Sequence, residues 1–129
     1  MTTASCRCGQ LSVAATGEPV RLSVCHCLDC KRRSGSSFAA QARFPAETVQ
    51  VFGESHAYAH RGNEGKMTHF HFCPTCGGNV YYIHDFAPET VAVLLGTLDD
   101  PYAFRPTVSV FESRKHDWVA IAGDDIEHN

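Results

Sequence analysis

Apolar and polar residues alternate along short stretches of this chain, and glycine, proline or a polar cluster interrupts each one. This period-two pattern, broken at near-regular intervals, predicts strands joined by turns. The predicted strands are Leu11–Ala15, Val20–Val24, Phe38–Phe44 and Thr48–Phe52, closed in turn by Gly17–Pro19, the cysteine-rich stretch at 25–30, Pro45 and Gly53. His56–His60 is a weaker strand, and Arg61–Lys66 reads as a polar loop or hairpin tip. Met67–Phe72, Asn79–His84 and Thr90–Leu95 follow, with Phe86–Glu89 as the connection between the last two. Gly96–Pro101 is a turn, Thr107–Phe111 and Trp118–Ile121 are the last strands, and the polar tail 123–129 is expected to fray. The one helical segment is a short turn over Lys31–Arg33, ended by Gly35. The reading is a mainly β, small single domain spanning 1–129, with little helix.

Composition narrows the function classes. A chain of 129 residues, 43% hydrophobic, is long enough for a modest core. A net charge of −3 argues against a nucleic-acid binder. No apolar run approaches about 18 residues, so no membrane partner is expected. Met1–Ser5 lacks the basic and apolar regions of a signal peptide, which predicts a cytoplasmic protein with reduced thiols. The seven cysteines are an odd number, which a complete disulfide framework would not leave. A homodimer is an oligomeric state compatible with this reading.

The cysteines carry the chemistry. Cys25, Cys27 and Cys30 stand in a C-x-C-x-x-C pattern. Residues two apart on a strand share a face, so Cys25 and Cys27 can aim at one point, and a turn through Leu28 and Asp29 can bring Cys30 to it. A metal suits this density best. Redox thiols and simple core packing are the alternatives. Cys73-Pro74-Thr75-Cys76-Gly77-Gly78 is a zinc-knuckle pattern, and Cys6-Arg7-Cys8-Gly9 offers two further sulfurs. Together these four could close a tetrahedral zinc site, with four independent core cysteines as the bland alternative. Cys25, Cys27 and Cys30 would then lack a fourth cysteine, as in zinc sites that keep an open position for chemistry. One of the eight histidines could instead close that site. His26 is not expected to be a ligand, because it faces away from its neighbours. Spacing alone does not say which motifs share a metal.

Lys31, Arg32, Arg33 and Ser34 follow directly and are candidate contacts for a thiol substrate, with a solvated basic turn as the plainer reading. Arg43, Arg61, Lys66, Arg105 and Arg114 read as surface charge. His56, His60, His69, His71 and His84 are candidates for a pocket wall, and His69 or His71 for a place near a metal. Phe70, Phe72, Tyr82 and Trp118 read as core.

The order C-x-C-G, C-H-C-x-x-C-x-x-x-S-G, F-C-x-x-C-G, G-T-L-D-x-P and a late tryptophan resembles the glutathione-dependent formaldehyde-activating enzyme family. Here those stretches are Cys6–Gly9, Cys25–Gly35, Phe72–Gly77, Gly96–Pro101 and Trp118. The family includes S-(hydroxymethyl)glutathione synthase and is related to centromere protein V. The resemblance implies a β-tent-type fold of short antiparallel strands. It implies a structural zinc on Cys6, Cys8, Cys73 and Cys76, and a second, labile zinc on Cys25, Cys27 and Cys30. It also implies a carbon–sulfur lyase-like activity, condensing glutathione or another small thiol with formaldehyde or a related aldehyde. A non-catalytic zinc- or thiol-binding module, or an interaction domain of the same fold, is the competing function. A thiolate redox sensor is a third.

Overall fold

Two antiparallel hairpins and one long meander account for most of the chain. The computed structural model describes residues 1–62 and 65–129. Asn63 and Glu64, within the expected hairpin tip, lie outside the described residues. The strands are β1 (Thr2–Ser5), β2 (Ser12–Ala15), β3 (Arg21–Cys25), β4 (Ala39–Pro45), β5 (Val49–Phe52), β6 (His56–Arg61), β7 (Met67–Phe72), β8 (Asn79–His84), β9 (Ala87–Leu94), β10 (Val108–Val110) and β11 (Glu127–His128). One short helix, α1 (Leu28–Ser34), follows β3. The fold is mainly β, with two sheets. A three-stranded sheet has the order β1-β2-β5, and an eight-stranded sheet the order β11-β10-β3-β4-β9-β8-β7-β6.

Alternation gives each strand of the large sheet two chemical faces. Ala42, Phe44, Val91 and Val93 turn one way and meet Ala4, Leu11, Val13 and Ala15 of the small sheet in a dry core. Burial of these side chains contributes about 25 cal/mol per Å² of apolar surface removed from water. The other face is polar and aromatic. Strand register lines up Tyr58, Phe70 and Tyr82 across β6, β7 and β8. The row continues through Ala92 on β9 to Arg43 on β4 and Arg21 on β3. Aromatics and cations thus meet on one surface across a single small residue, Ala92.

Several sequence expectations need correction. The helix begins at Leu28, three residues before the expected turn, because Cys27 serves as its N-cap: the Cys27 sulfur accepts from the Cys30 backbone N–H at 3.3 Å. Gly35 ends it in a left-handed conformation with φ of 67°. β9 begins at Ala87, so part of the expected Phe86–Glu89 connection is strand. β1 was not expected as a strand, yet it pairs with β2 from Thr2 to Ser5. Not every pairing is antiparallel: β10 lies parallel to both β3 and β11. The tail expected to fray supplies β11. There the Glu127 N–H bonds the Thr107 carbonyl, and the Asn129 N–H the Ser109 carbonyl. No strand forms at Trp118–Ile121, and Trp118 is 70% exposed, stacked on His116 instead of buried.

Candidate metal and substrate site

The chain makes two sulfur clusters. In the first, Cys6 and Cys8 leave β1 on a tight turn, and Cys73 and Cys76 occupy the turn between β7 and β8. The second turn depends on Gly77, whose φ of 74° lets its N–H reach the Cys73 carbonyl at 2.8 Å. The four sulfurs lie within 4.8 Å of one another, and Cys8 is 3.7 Å from both Cys6 and Cys73. Tetrahedral thiolates at about 2.3 Å from zinc would be spaced about 3.8 Å apart, so the donor set fits such an ion. Donors surround the sulfurs: the Leu11 N–H reaches Cys6, and the Thr75 N–H and Gln10 Nε2 reach Cys73. Burial works against ionisation of Cys73. The backbone at Cys76, the Gln10 amide and the Thr75 N–H outweigh it and pull the thiol down to about 6. Gly78 packs so close that a Cβ there would sit 3.2 Å from the Cys6 Cβ.

The second cluster is Cys25, Cys27 and Cys30, whose sulfurs also lie within 4.8 Å of one another. Cys25 ends β3, Cys27 caps α1, and Cys30 is one helical turn further on. His26, between them, is fully buried on the opposite side. Its Nε2 meets the Ser109 hydroxyl at 2.9 Å, and its backbone N–H bonds the Val110 carbonyl. Anchoring this residue into β10 leaves the sulfurs on either side free to face the cavity. The three thiols share protons unequally. The contact from Cys30 lowers the Cys25 thiol, and the same contact raises Cys30. Among the described residues, no histidine or carboxylate joins this cluster as a fourth metal donor.

All three of these cysteines line a cavity of about 710 Å³, while none of Cys6, Cys8, Cys73 and Cys76 does. Its walls are the polar and aromatic face of the large sheet, one side of α1, and Val110 with Phe111. Phe111 holds a left-handed backbone with φ of 57°, rare for an aromatic residue, and stays more than half exposed at the rim. Arg33 lies over the rings of Phe70 and Tyr82, at 5.0 and 5.2 Å. The Asp29 carboxylate on α1 meets His60 Nε2 on β6 at 2.9 Å, linking the helix to the far wall.

Of the residues singled out from sequence, Arg32 and Arg33 line this cavity. Lys31 and Ser34 are not on its wall: the Lys31 ammonium donates to the Arg114 carbonyl, and the Ser34 hydroxyl to the Cys30 carbonyl. His60 and His84 are on the wall. His69 and His71 are on the other face of β7. There His69 pairs with Asp85, while His71 bonds Ser55 and stacks on Tyr81, so neither joins a cysteine cluster. Phe70, Phe72 and Tyr82, read from sequence as core, are cavity wall. Arg43, read as surface charge, is also on the wall, with its guanidinium 3.3 Å from His84 Nε2. The signal that could have found it was strand parity, since Arg43 and Gln41 share the face opposite Ala42 and Phe44.

A mainly β fold carrying a four-cysteine cluster and a separate three-cysteine cluster on a cavity defines a class of domain whose thiols are placed to hold metal ions. The chain belongs to the glutathione-dependent formaldehyde-activating enzyme family, whose model matches residues 1–114. Trp118 and β11 fall beyond the matched span. No curated protein matches the sequence. A solved structural-genomics target from Rhodobacter sphaeroides shares the fold, with a TM-score of 0.58 and 24% identity over 75% of this chain and 87% of that one.

Proposed function

We propose that this domain joins a small thiol, such as glutathione, to formaldehyde or a related aldehyde in the cavity, as a carbon–sulfur lyase working in the direction of addition. The observation that carries this reading is the three-thiol cluster on the cavity wall, with no fourth donor from the described residues. The donor set fits zinc, which at such a site supplies a Lewis acid with a free position and lowers the pKa of a thiol brought there. Cys6, Cys8, Cys73 and Cys76 hold the structural ion.

The chain's own residues then divide the remaining work. Arg32 and Arg33 supply positive charge beside the thiolates and favour an anionic sulfur in the cavity. Phe70, Phe72 and Val110 exclude water from the reacting atoms. Burial raises the Tyr82 hydroxyl pKa, so this side chain remains a neutral phenol able to donate to a developing alkoxide. The ring of His84 is already committed. Arginine can only donate, so His84 Nε2 accepts from Arg43, and Nδ1–H donates to the Thr68 hydroxyl at 2.6 Å. In the balanced step a sulfur–carbon bond forms, the carbonyl π bond breaks, and the thiol proton ends on the former aldehyde oxygen.

The test is carbon-13 exchange spectroscopy on formaldehyde and glutathione at equilibrium, with the zinc-loaded protein added. Faster exchange between free and adduct carbon is expected, and Cys27→Ala should return it to the uncatalysed rate. Glutathione binding without acceleration would overturn the enzymatic reading and leave a thiol-binding module. No binding at millimolar thiol would overturn both.

A further inference from the structure

Phe111 holds a backbone conformation that its own side chain disfavours. Among the described residues it is the one non-glycine residue with a positive φ, at 57°. In that region a Cβ crowds the following carbonyl, and glycine or asparagine fits with less strain. Such strain persists only where the surroundings over-determine it. Here the backbone is held on both sides. The His26 N–H bonds the Val110 carbonyl at 3.1 Å, and the Arg114 N–H bonds the Phe111 carbonyl at 3.0 Å. Asn129 bridges the turn: its N–H bonds the Ser109 carbonyl, and its carbonyl accepts from the Glu112 N–H. The tail thus locks the turn at Phe111.

The ring contributes little to the fold that strains it. It is 59% exposed and takes no part in the dry core between the sheets. A side chain that is strained in its backbone and unburied in its ring fits a contact made with an incoming ligand. Its position identifies the ligand's end. Phe111 and Val110 both line the cavity, and Val110 pairs with Cys25 across β10 and β3. The ring therefore stands at the rim beside the three-cysteine cluster.

We propose that Phe111 clamps the sulfur end of the ligand: its ring packs on the carbon that carries the thiol when the sulfur enters the three-cysteine site. The ring leaves water only in that complex. This rests on the thiol reading above. Every small aliphatic thiol has such a carbon, so the clamp is blind to the rest of the molecule.

The test pairs thermal unfolding without ligand and calorimetric titration of the zinc-loaded protein with glutathione and with 2-mercaptoethanol. Phe111→Gly and Phe111→Asn both tolerate the positive φ and both lack the ring. Each should unfold at or above the parent's midpoint and bind both thiols about tenfold more weakly, the order expected when half a phenyl ring leaves water on binding. Phe111→Tyr should bind as the parent does. Parent-like binding by the glycine and asparagine variants would overturn the clamp and leave the thiol reading standing. A lowered midpoint in both would make the ring a structural contact, which also overturns it. A loss confined to glutathione would place the ring on the rest of the ligand and refute the assignment to the sulfur end. Failure of the parent itself to bind either thiol would remove the thiol reading, and the clamp with it.

Discussion

His84 sits between a cation and a hydroxyl, and burial together with the nearby cations sets its protonation state. Burial, then Arg43 and Arg33, lower its pKa to about 4. An unfolded histidine titrates near about 6.5. Between those values the unfolded chain binds the extra proton and the folded one does not. Stability is therefore level above about pH 6.5 and falls as pH drops toward about 4. The ring is partly exposed, so solvent screening reduces the loss to on the order of 2 kcal/mol. Thermal unfolding of parent and His84→Gln, followed together from neutral pH downward, should show the variant losing less stability over that window. Parallel curves would mean that His84 does not titrate in it. Arg43, its neighbour, shows why single residues were hard to read. An arginine in a half-buried strand looks like surface charge until the partner strands show which face is concave. The cysteines were easier, because close spacing constrains them locally.

At the scale of elements, legibility followed the range of the interactions. β7 and β8 carry a strong alternating pattern, and both appear with the expected ends. α1 starts early because a thiol, not a serine or aspartate, caps it. β11 has two polar residues and exists only because β10 offers a parallel edge more than fifteen positions away. Its sequence holds no local sign of that. The same long range governs the end of β5. Gly53 has φ of 89°, and a Cβ there would lie 1.9 Å from the Gln10 carbonyl oxygen. Gln10 bonds the Glu54 backbone in both directions and also donates to Cys73. Gly53→Ala must therefore move a residue that touches the four-cysteine cluster. A loss of about 1–3 kcal/mol is expected from the backbone strain alone, read as a lowered unfolding midpoint. An unchanged midpoint would show that the Gln10 turn yields freely.

For the whole molecule, the two clusters predict opposite consequences of losing a thiol. The four-cysteine cluster joins the turn after β1, in the small sheet, to the turn between β7 and β8, in the large one. The three-cysteine cluster links only the end of β3 to the helix that follows it. Cys27→Ala should lower metal content from about two ions per chain toward one, with the circular-dichroism spectrum of the parent. Cys76→Ala should destabilise the domain by several kcal/mol, on the order expected for removing a structural metal. Global unfolding of Cys27→Ala would contradict this division. Among the described residues, no helix is long and apolar enough to cross a membrane.

Cys8 and Cys73 are 65 positions apart in the chain. Bringing the ends of so long a loop together costs an unfolded polymer on the order of 4 kcal/mol in lost configurations, rising only with the logarithm of its length. An ion held by the four sulfurs would keep those ends together and remove that freedom. If the four cysteines take up an ion while the chain is still disordered, that ion acts as a topological clamp, and metal supply during synthesis then bears on how fast the two sheets find each other as well as on how firmly they stay together.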